Sequence, residues 1–118
     1  MSEPELPTLV EHLIRSFMPD ARATIEQVAD CMMFSTRKLQ RLLADEGTTF
    51  QELLTSARQF MACHYLQDST ISIAQISDLL GYSSQSAFSR AFQQWYGQSP
   101  RAWLKQQVLG VRGRRDNQ

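Results

Sequence analysis

The feature that most constrains the fold is a pattern that occurs twice, 48 residues apart. The matching segments of the two copies are Ile25-x-Gln27-Val28-x-Asp30 with Ile73-x-Gln75-Ile76-x-Asp78, then Phe34-Ser35 with Tyr82-Ser83 at the same offset, and Leu39-Gln40-Arg41 with Phe88-Ser89-Arg90 after one inserted residue. Self-similarity at a fixed spacing indicates a repeated supersecondary unit. The chain is therefore predicted to build the same short helix, tight turn and longer helix twice.

Length and composition favour a single domain. The chain has 118 residues, 42% of them apolar, which is enough for a core and too many for a disordered tail. The formal net charge is zero, but residues 1–20 carry four acidic side chains and one basic side chain, so the rest of the chain is positive. No stretch approaches the roughly 20 apolar residues of a membrane span, and no signal peptide is evident. We expect a cytoplasmic protein that does not contact a membrane.

Apolar residues recur at helical spacing, and no sustained alternation predicts a strand. Capping boxes are expected at Thr24–Gln27 and Thr49–Glu52, single caps at Ser35 and Ser84, and a helix start at Ser99-Pro100. The predicted helices cover about residues 9–17, 24–32, 35–47, 50–66, 72–80 and 84–96, with a last one from residue 100. The predicted fold is all-α, with about seven helices forming two helix-turn-helix subdomains joined by a long central helix.

The predicted division of the chain follows from these elements. Residues 1–20 are expected to be a linker and the start of the first helix, residues 8–107 the double helix-turn-helix domain, and residues 108–118 a basic, flexible tail. Within the domain we expect a first unit at about 24–47, a linker helix at about 50–67 and a second unit at about 72–97.

The second helix of the first unit has the side chains of a base-reading surface. Arg37, Gln40 and Arg41 project together at i, i+3 and i+4. The residues predicted to be buried on the opposite side are Leu39, Leu42 and Leu43. Arginine can bridge the two acceptors of guanine, and glutamine can pair with adenine. An ordinary solvated helix face explains the triplet equally well, so both interpretations stay open.

The second helix of the second unit has a weaker surface of the same kind. Gln85, Ser86, Ser89 and Arg90 are predicted to face outward and to contact bases. The residues expected to face inward are Phe88, Ala91, Phe92 and Trp95. Most of the outward side chains are short and uncharged, so we expect fewer strong base contacts here than in the first unit.

A further set of residues is predicted to contact DNA phosphates. Its members are Ser35, Thr36, Lys38, Ser84 and Arg101. The two serines stand at helix starts, where free N–H groups can hold a phosphate. Plain helix capping explains both serines as well.

Residues that would carry other chemistry are few. Cys31 and Cys63 are expected to be buried as small apolar residues, and the two histidines lack the spacing of a zinc site. We expect no metal and no cofactor. No nucleophile–base pair, phosphate loop or carboxylate pair indicates an enzyme. Arg58, in the middle of the central helix, is expected to form an ion pair or a hydrogen bond to a helix end.

A family resemblance rests on the second unit. The run from Leu80 to Phe92 (LGYSSQSAFSRAF), followed by Gly97-x-Ser99-Pro100, closely resembles the signature of the AraC/XylS family of transcriptional regulators. The first unit is similar more loosely, over Leu39–Leu43 and Glu46–Leu54. The resemblance spans roughly residues 24–105.

The resemblance implies two helix-turn-helix subdomains that bind promoter DNA in successive major grooves, and most often activation through RNA polymerase. It places the family's base-reading residues on the two sets named above. Many members carry an N-terminal effector domain, so we expect a C-terminal fragment whose small-molecule effector acts through a missing domain. A minority of the family are free-standing chains of about this length, and that alternative stays open. Two departures are Met33, where the family often has glycine, and Ser77, where it usually has alanine.

An alternative function is a helical protein-interaction module that does not read DNA. The zero net charge, Met33 and the small polar surface of the second unit favour it. Such a module need not collect its basic side chains on the recognition helices, and this distinguishes the two hypotheses.

Overall fold

A computed structural model of the chain describes residues 5–17 and 23–107. The helices are α1 (Leu6–Phe17), α2 (Ile25–Cys31), α3 (Thr36–Asp45), α4 (Phe50–Leu66), α5 (Ile73–Leu79), α6 (Gln85–Tyr96) and α7 (residues 100–107). None of these described residues lies in a strand, which confirms the predicted all-α fold. The tail at 108–118, and residues 1–4 and 18–20 of the predicted linker and first-helix start, lie outside the described residues. Within those described, no helix is long and apolar enough to cross a bilayer.

Helix α1 begins earlier than predicted. Its first residue is Leu6, whereas the apolar spacing alone placed the start near Leu9. The difference arises because Pro7 lies in the first turn, where a proline leaves no helical hydrogen bond unmade. The first apolar residue of a periodic pattern is therefore a late marker of where this helix starts.

The chain divides into two compact units. Of the described residues, the first contains 5–17, 23–61 and Leu79–Gly81. Its fully buried core comes from α1, α2, α3 and α4, and includes Val10, Ile14, Val28, Leu39, Leu43 and Ala57. Leu42, which was expected to be buried with its neighbours, is only half-buried. Cys31, the last residue of α2, is exposed, so the prediction of a buried thiol is wrong at that position, and Cys63 in α4 is only half-buried.

The second compact unit contains residues 62–78 and 82–107 of the described chain. Its core is aromatic: Phe88 and Phe92 are fully buried, and Phe92 packs against Tyr96 and Trp103 with ring centroids 4.8 and 5.9 Å apart. Ser77 is also buried, and its hydroxyl donates to the Ile73 carbonyl at 2.9 Å. The serine that replaces the usual alanine thus satisfies its own polar group within α5.

Three helix starts test the capping predictions. At α2, Thr24 and Gln27 form the predicted reciprocal box, with bonds of 2.9 and 3.2 Å. At α4 only half of the predicted box forms, because Thr49 accepts from the Glu52 N–H while the Glu52 carboxylate accepts the hydroxyl of Thr48 at 3.0 Å. At α7, the predicted start is confirmed by Ser99, whose hydroxyl accepts from the Ala102 N–H at 3.1 Å.

The two tight turns have the same geometry, although their sequences differ. In the first, the Phe34 N–H donates to the Ala29 carbonyl at 2.8 Å, and in the second, the Tyr82 N–H donates to the Ser77 carbonyl at 2.9 Å. These pairs are 48 residues apart, like the sequence repeat. Each is the six-to-one bond that closes a helix with a left-handed residue. That residue is Gly81 (φ 84°) in the second turn.

In the first turn the left-handed residue is Met33 (φ 60°), whose side chain is 93% exposed. A side chain in this conformation costs about 1–2 kcal/mol. The methionine therefore strains the turn without changing its shape, and it contributes almost no packing in return.

We predict that Met33→Gly stabilises the chain by about 0.5–1 kcal/mol. Relief of the left-handed strain outweighs the larger conformational freedom of glycine in the unfolded chain. The matched control is Gly97→Ala, because Gly97 is also left-handed (φ 73°) and a methyl group there meets only open space. It should lower stability by about 1 kcal/mol. Thermal unfolding measures both, and a loss of stability in Met33→Gly would contradict the strain.

Candidate nucleic-acid interface

Helix α3 is held by a cap at its start and by one buried stripe. Ser35 is its N-cap, with the serine hydroxyl accepting from the Lys38 N–H at 3.1 Å. Leu39 and Leu43 are fully buried, one helical turn apart. With that side fixed, the residues of the opposite side face solvent.

Arg37, Gln40 and Arg41 are all exposed on α3, as the spacing predicts. The structure thus brings the three side chains together on one accessible face. Two guanidinium groups and a carboxamide side by side can donate to base edges in a major groove. Their contact with bases stays a prediction.

The charge along α3 is polarised. Arg37, Lys38 and Arg41 lie in its first two turns, whereas Asp45 and Glu46 end it, and all five are exposed. Because DNA is lined with phosphates, the N-terminal half of α3 is attracted to it and the C-terminal end is repelled. The helix can therefore approach DNA favourably only with its first two turns.

Lys38 has an aromatic partner that was not predicted from the sequence. Its ammonium nitrogen lies 4.6 Å from the centroid of the Phe34 ring, and Phe34 is half-buried. A cation over a ring face is attracted by the negative face of the ring. The available signal was an aromatic residue directly before the Ser35 cap, with a lysine four positions later. The contact holds the long Lys38 side chain beside the start of α3.

A shallow groove of about 530 Å³ runs beside the predicted phosphate contacts Ser35 and Thr36. Glu26 and Asp30 line it too, and both are exposed. Their carboxylates oppose a phosphate on this side. Among the predicted phosphate contacts of the first unit, Lys38 therefore has the most favourable surroundings.

A second groove, of about 450 Å³, places Gln40 in a wider surface. It is lined by Gln40 and Ala44 from α3, by residues 48–51 around the start of α4, and by Ile25. Gln51 is exposed there, with a second carboxamide on the same groove as Gln40. Gln51 belongs to another helix, so helical spacing within α3 alone gave no sign of it.

Helix α6 presents a smaller surface. Ser84 is its N-cap and accepts from the Ala87 N–H at 3.0 Å. Gln85, Ser86 and Arg90 are exposed as predicted, but Ser89 is half-buried and offers less of its hydroxyl to a partner. The Nε of Arg90 donates to the Ser86 carbonyl at 3.4 Å, so its guanidinium lies back along its own helix. Arg101 is exposed on α7.

Metal-binding chemistry is not evident in residues 5–17 and 23–107, where no three His, Cys, Asp or Glu side chains are grouped as ligands would be. Helices α3 and α6 instead each present exposed donors beside a capped start. Such a surface recognises a partner by hydrogen bonds and charge.

The chain matches a family model described as a helix-turn-helix domain over residues 28–106. It is 36% identical over 113 residues to the HTH-type transcriptional regulator VirS of Mycobacterium tuberculosis, covering 96% of this chain and 33% of that protein. It is 38% identical over 82 residues to the HTH-type transcriptional regulator VqsM of Pseudomonas aeruginosa, covering 70% of this chain and 25% of that protein. The chain thus spans a quarter to a third of these relatives.

A solved structure resembles nearly the whole fold. It is the crystal structure of a DNA-binding transcriptional dual regulator from Escherichia coli K-12, with a TM-score of 0.84 and 25% identity. The match covers 92% of this chain and 97% of that one. The double helix-turn-helix arrangement predicted from the repeat therefore has a counterpart among solved proteins.

We predict that Phe34 and Lys38 are energetically coupled. In a double-mutant cycle with Phe34→Leu and Lys38→Met, the coupling free energy of unfolding should be about 0.5–1 kcal/mol, the range for a solvent-exposed cation–π pair. Urea unfolding of the four proteins measures it. Additive effects of the two substitutions would show that the ring does not hold the lysine.

Proposed function

We propose that the chain binds double-stranded promoter DNA sequence-specifically. It belongs to the AraC/XylS family of helix-turn-helix transcriptional regulators. Helices α3 and α6 act as the recognition helices, each entering a major groove with its N-terminal half. The names of VirS and VqsM as HTH-type transcriptional regulators support this function, as does that of the DNA-binding regulator of Escherichia coli.

The observation that carries the proposal is the exposed face of α3. Arg37 and Arg41 each have the fork of donors that matches the two acceptors of guanine, and the Gln40 amide matches adenine. Each such pair contributes about 1–3 kcal/mol of discrimination against a wrong base. Lys38, held over Phe34, contacts a phosphate beside them. The first unit therefore supplies most of the base discrimination.

The second unit contributes positioning more than discrimination. Gln85 and Ser86 are the side chains that reach bases from the start of α6, with Arg90 one turn later and Ser89 playing a smaller part. Ser84 and Arg101 contact phosphates, together with Ser35 and Thr36 of the first unit. Phosphate contacts fix the register of a protein on a duplex, and they carry no sequence information themselves.

One chain is proposed to read two successive major grooves. Helix α4, from Phe50 to Leu66, has 17 residues and is thus about 25 Å long. Major grooves on one side of a duplex are about 34 Å apart. Bending the DNA brings successive grooves closer to the length of α4. Such bending costs of order 1–6 kcal/mol, which is small compared with the free energy of specific binding.

Binding of this kind would regulate transcription, most often by activation through contact with RNA polymerase, in the cytoplasm. A small-molecule effector would act through a domain outside this chain. The proposed role involves no catalysis by the chain itself. Against the alternative of a protein-interaction module, Arg37, Lys38 and Arg41 are exposed together at the start of one recognition helix. Collection of basic side chains there favours a polyanion as the partner.

We predict that the double variant Arg37→Ala, Arg41→Ala binds a preferred duplex at least roughly thirtyfold more weakly than the wild type, because two base contacts are lost. Fluorescence anisotropy against a library of promoter duplexes measures affinity and preference together. Both side chains are exposed, so the free energy of unfolding should change by less than about 0.5 kcal/mol per site.

The matched control is Arg37→Lys, Arg41→Lys, which keeps both charges and removes both donor forks. It should retain most of the affinity for arbitrary duplexes and lose preference at the bases that the arginines read. Unchanged affinity and preference in the alanine variant would contradict the assignment of this face. Affinity that does not change with salt would contradict phosphate binding.

A further inference from the structure

Arg58, in the middle of α4, reaches the second turn. Its Nε donates to the backbone carbonyl of Leu80 at 3.2 Å, across 22 positions of sequence. Leu80 follows α5 directly and is only 1% exposed. Arg58 was expected to form an ion pair or a hydrogen bond to a helix end, and the structure shows the hydrogen bond to a helix end.

The Leu80 carbonyl needs such a donor. The last carbonyls of a helix have no N–H within the helix to accept from, and a buried carbonyl that makes no hydrogen bond is strongly disfavoured. The backbone N–H of Tyr82, two residues further on, already donates to the Ser77 carbonyl. The guanidinium is charged, which strengthens its bond to this carbonyl.

The residues of this turn belong with Arg58. Leu79–Gly81 lie in the first compact unit, as Arg58 does, whereas Asp78 and Tyr82 on either side lie in the second. These three turn residues therefore pack in the same unit as Arg58, which bonds to one of them. At Gly81 the chain is left-handed (φ 84°), which fixes the direction in which it leaves the turn.

The path from this turn to α6 is short and ordered. Only Tyr82, Ser83 and Ser84 separate Gly81 from the first residue of α6. The ring of Tyr82 lies 5.7 Å from that of Phe88, and Ser84 caps the helix. The start of α6, where Gln85 and Ser86 stand, is therefore joined to the turn by a short segment in which Tyr82 and Ser84 each have a local contact.

We infer that Arg58 is a positioning residue for the second recognition helix: it anchors the turn from which α6 starts, although it makes no contact with DNA itself. The inference rests on the proposed DNA-binding function. It gives a role to a charged side chain of the linker helix that the base-reading and phosphate-contacting sets do not include.

The test uses the duplex that the wild-type chain selects from a random library, together with all single-base substitutions of that duplex. Arg37→Ala and Gln85→Ala first identify which positions α3 and α6 read, since each relaxes preference at its own positions. Arg58→Met should then relax preference roughly tenfold at the α6 positions, the factor expected for one lost hydrogen bond to a buried carbonyl. Preference at the α3 positions should stay within about twofold of the wild type.

Arg58→Lys is the conservative variant. It keeps the charge and one donor but lacks the planar group that fits the carbonyl, so it should relax the α6 positions by about threefold. Thermal unfolding establishes whether each variant is folded under the assay conditions. If Arg58→Met is not folded, the pattern of Arg58→Lys decides the question. A merely structural role would weaken binding at all positions alike, or leave the preferences unchanged.

Equal loss at both sets of positions, or no loss at either, overturns the positioning role and leaves the proposed function intact. A wild-type chain that shows no base preference at all contradicts the proposed function, and the role of Arg58 with it. A wild-type chain whose preferences respond to Arg37→Ala but not to Gln85→Ala overturns the role of Arg58 and the base contact assigned to Gln85, and leaves DNA reading by α3 intact.

Discussion

Burial of one apolar stripe on each recognition helix is the constraint on which the rest of the structure depends. Leu39 and Leu43 of α3 have no exposed surface, and neither do Phe88 and Phe92 of α6. Burying side chains of this size contributes about 1.5–3 kcal/mol each. Rotating either helix to present another face would lose that energy. The outward faces, including Arg37 on α3, are therefore fixed by what lies behind them.

The tight turns determine where each recognition helix starts relative to the helix before it. Both turns close with the same bond pattern, from Phe34 to Ala29 and from Tyr82 to Ser77. One turn accommodates the left-handed residue with a glycine, whereas the other forces Met33 into it. Since the backbone bonds are equivalent, the geometry of the turn is set by the helix end and the following cap. The residue in the left-handed position determines only what that geometry costs.

Much of the fold was predictable from local signals in the sequence. The caps at Thr24, Ser35, Ser84 and Ser99 act within three residues, so their spacing alone indicates where helices begin. The box at Thr49 failed in part because a neighbouring hydroxyl, that of Thr48, competes for the same carboxylate. Such competition depends on side-chain placement, which spacing does not specify.

Part of the candidate site was also predictable from the sequence, and part was not. Helical periodicity was sufficient to place Arg37, Gln40 and Arg41 on one exposed face. It could not show that Lys38 lies over the ring of Phe34, since that contact crosses from the turn to the helix. The half-buried position of Ser89 was missed because short polar side chains give a weak periodic signal. The contacts of all these residues with DNA remain proposals.

The two units are unequal in what they can recognise. The first has long side chains with several donors, and the second has mostly short ones, with the Arg90 side chain bonded to its own helix. Selection of bound duplexes from a random-sequence library tests whether both units read bases, and whether the first unit discriminates between bases more strongly than the second. The account predicts two blocks of preferred bases about one helical turn, or about 10 bp, apart. The stronger block should be the one that Arg37→Ala weakens. A single block, or a library that is not enriched at all, would contradict it.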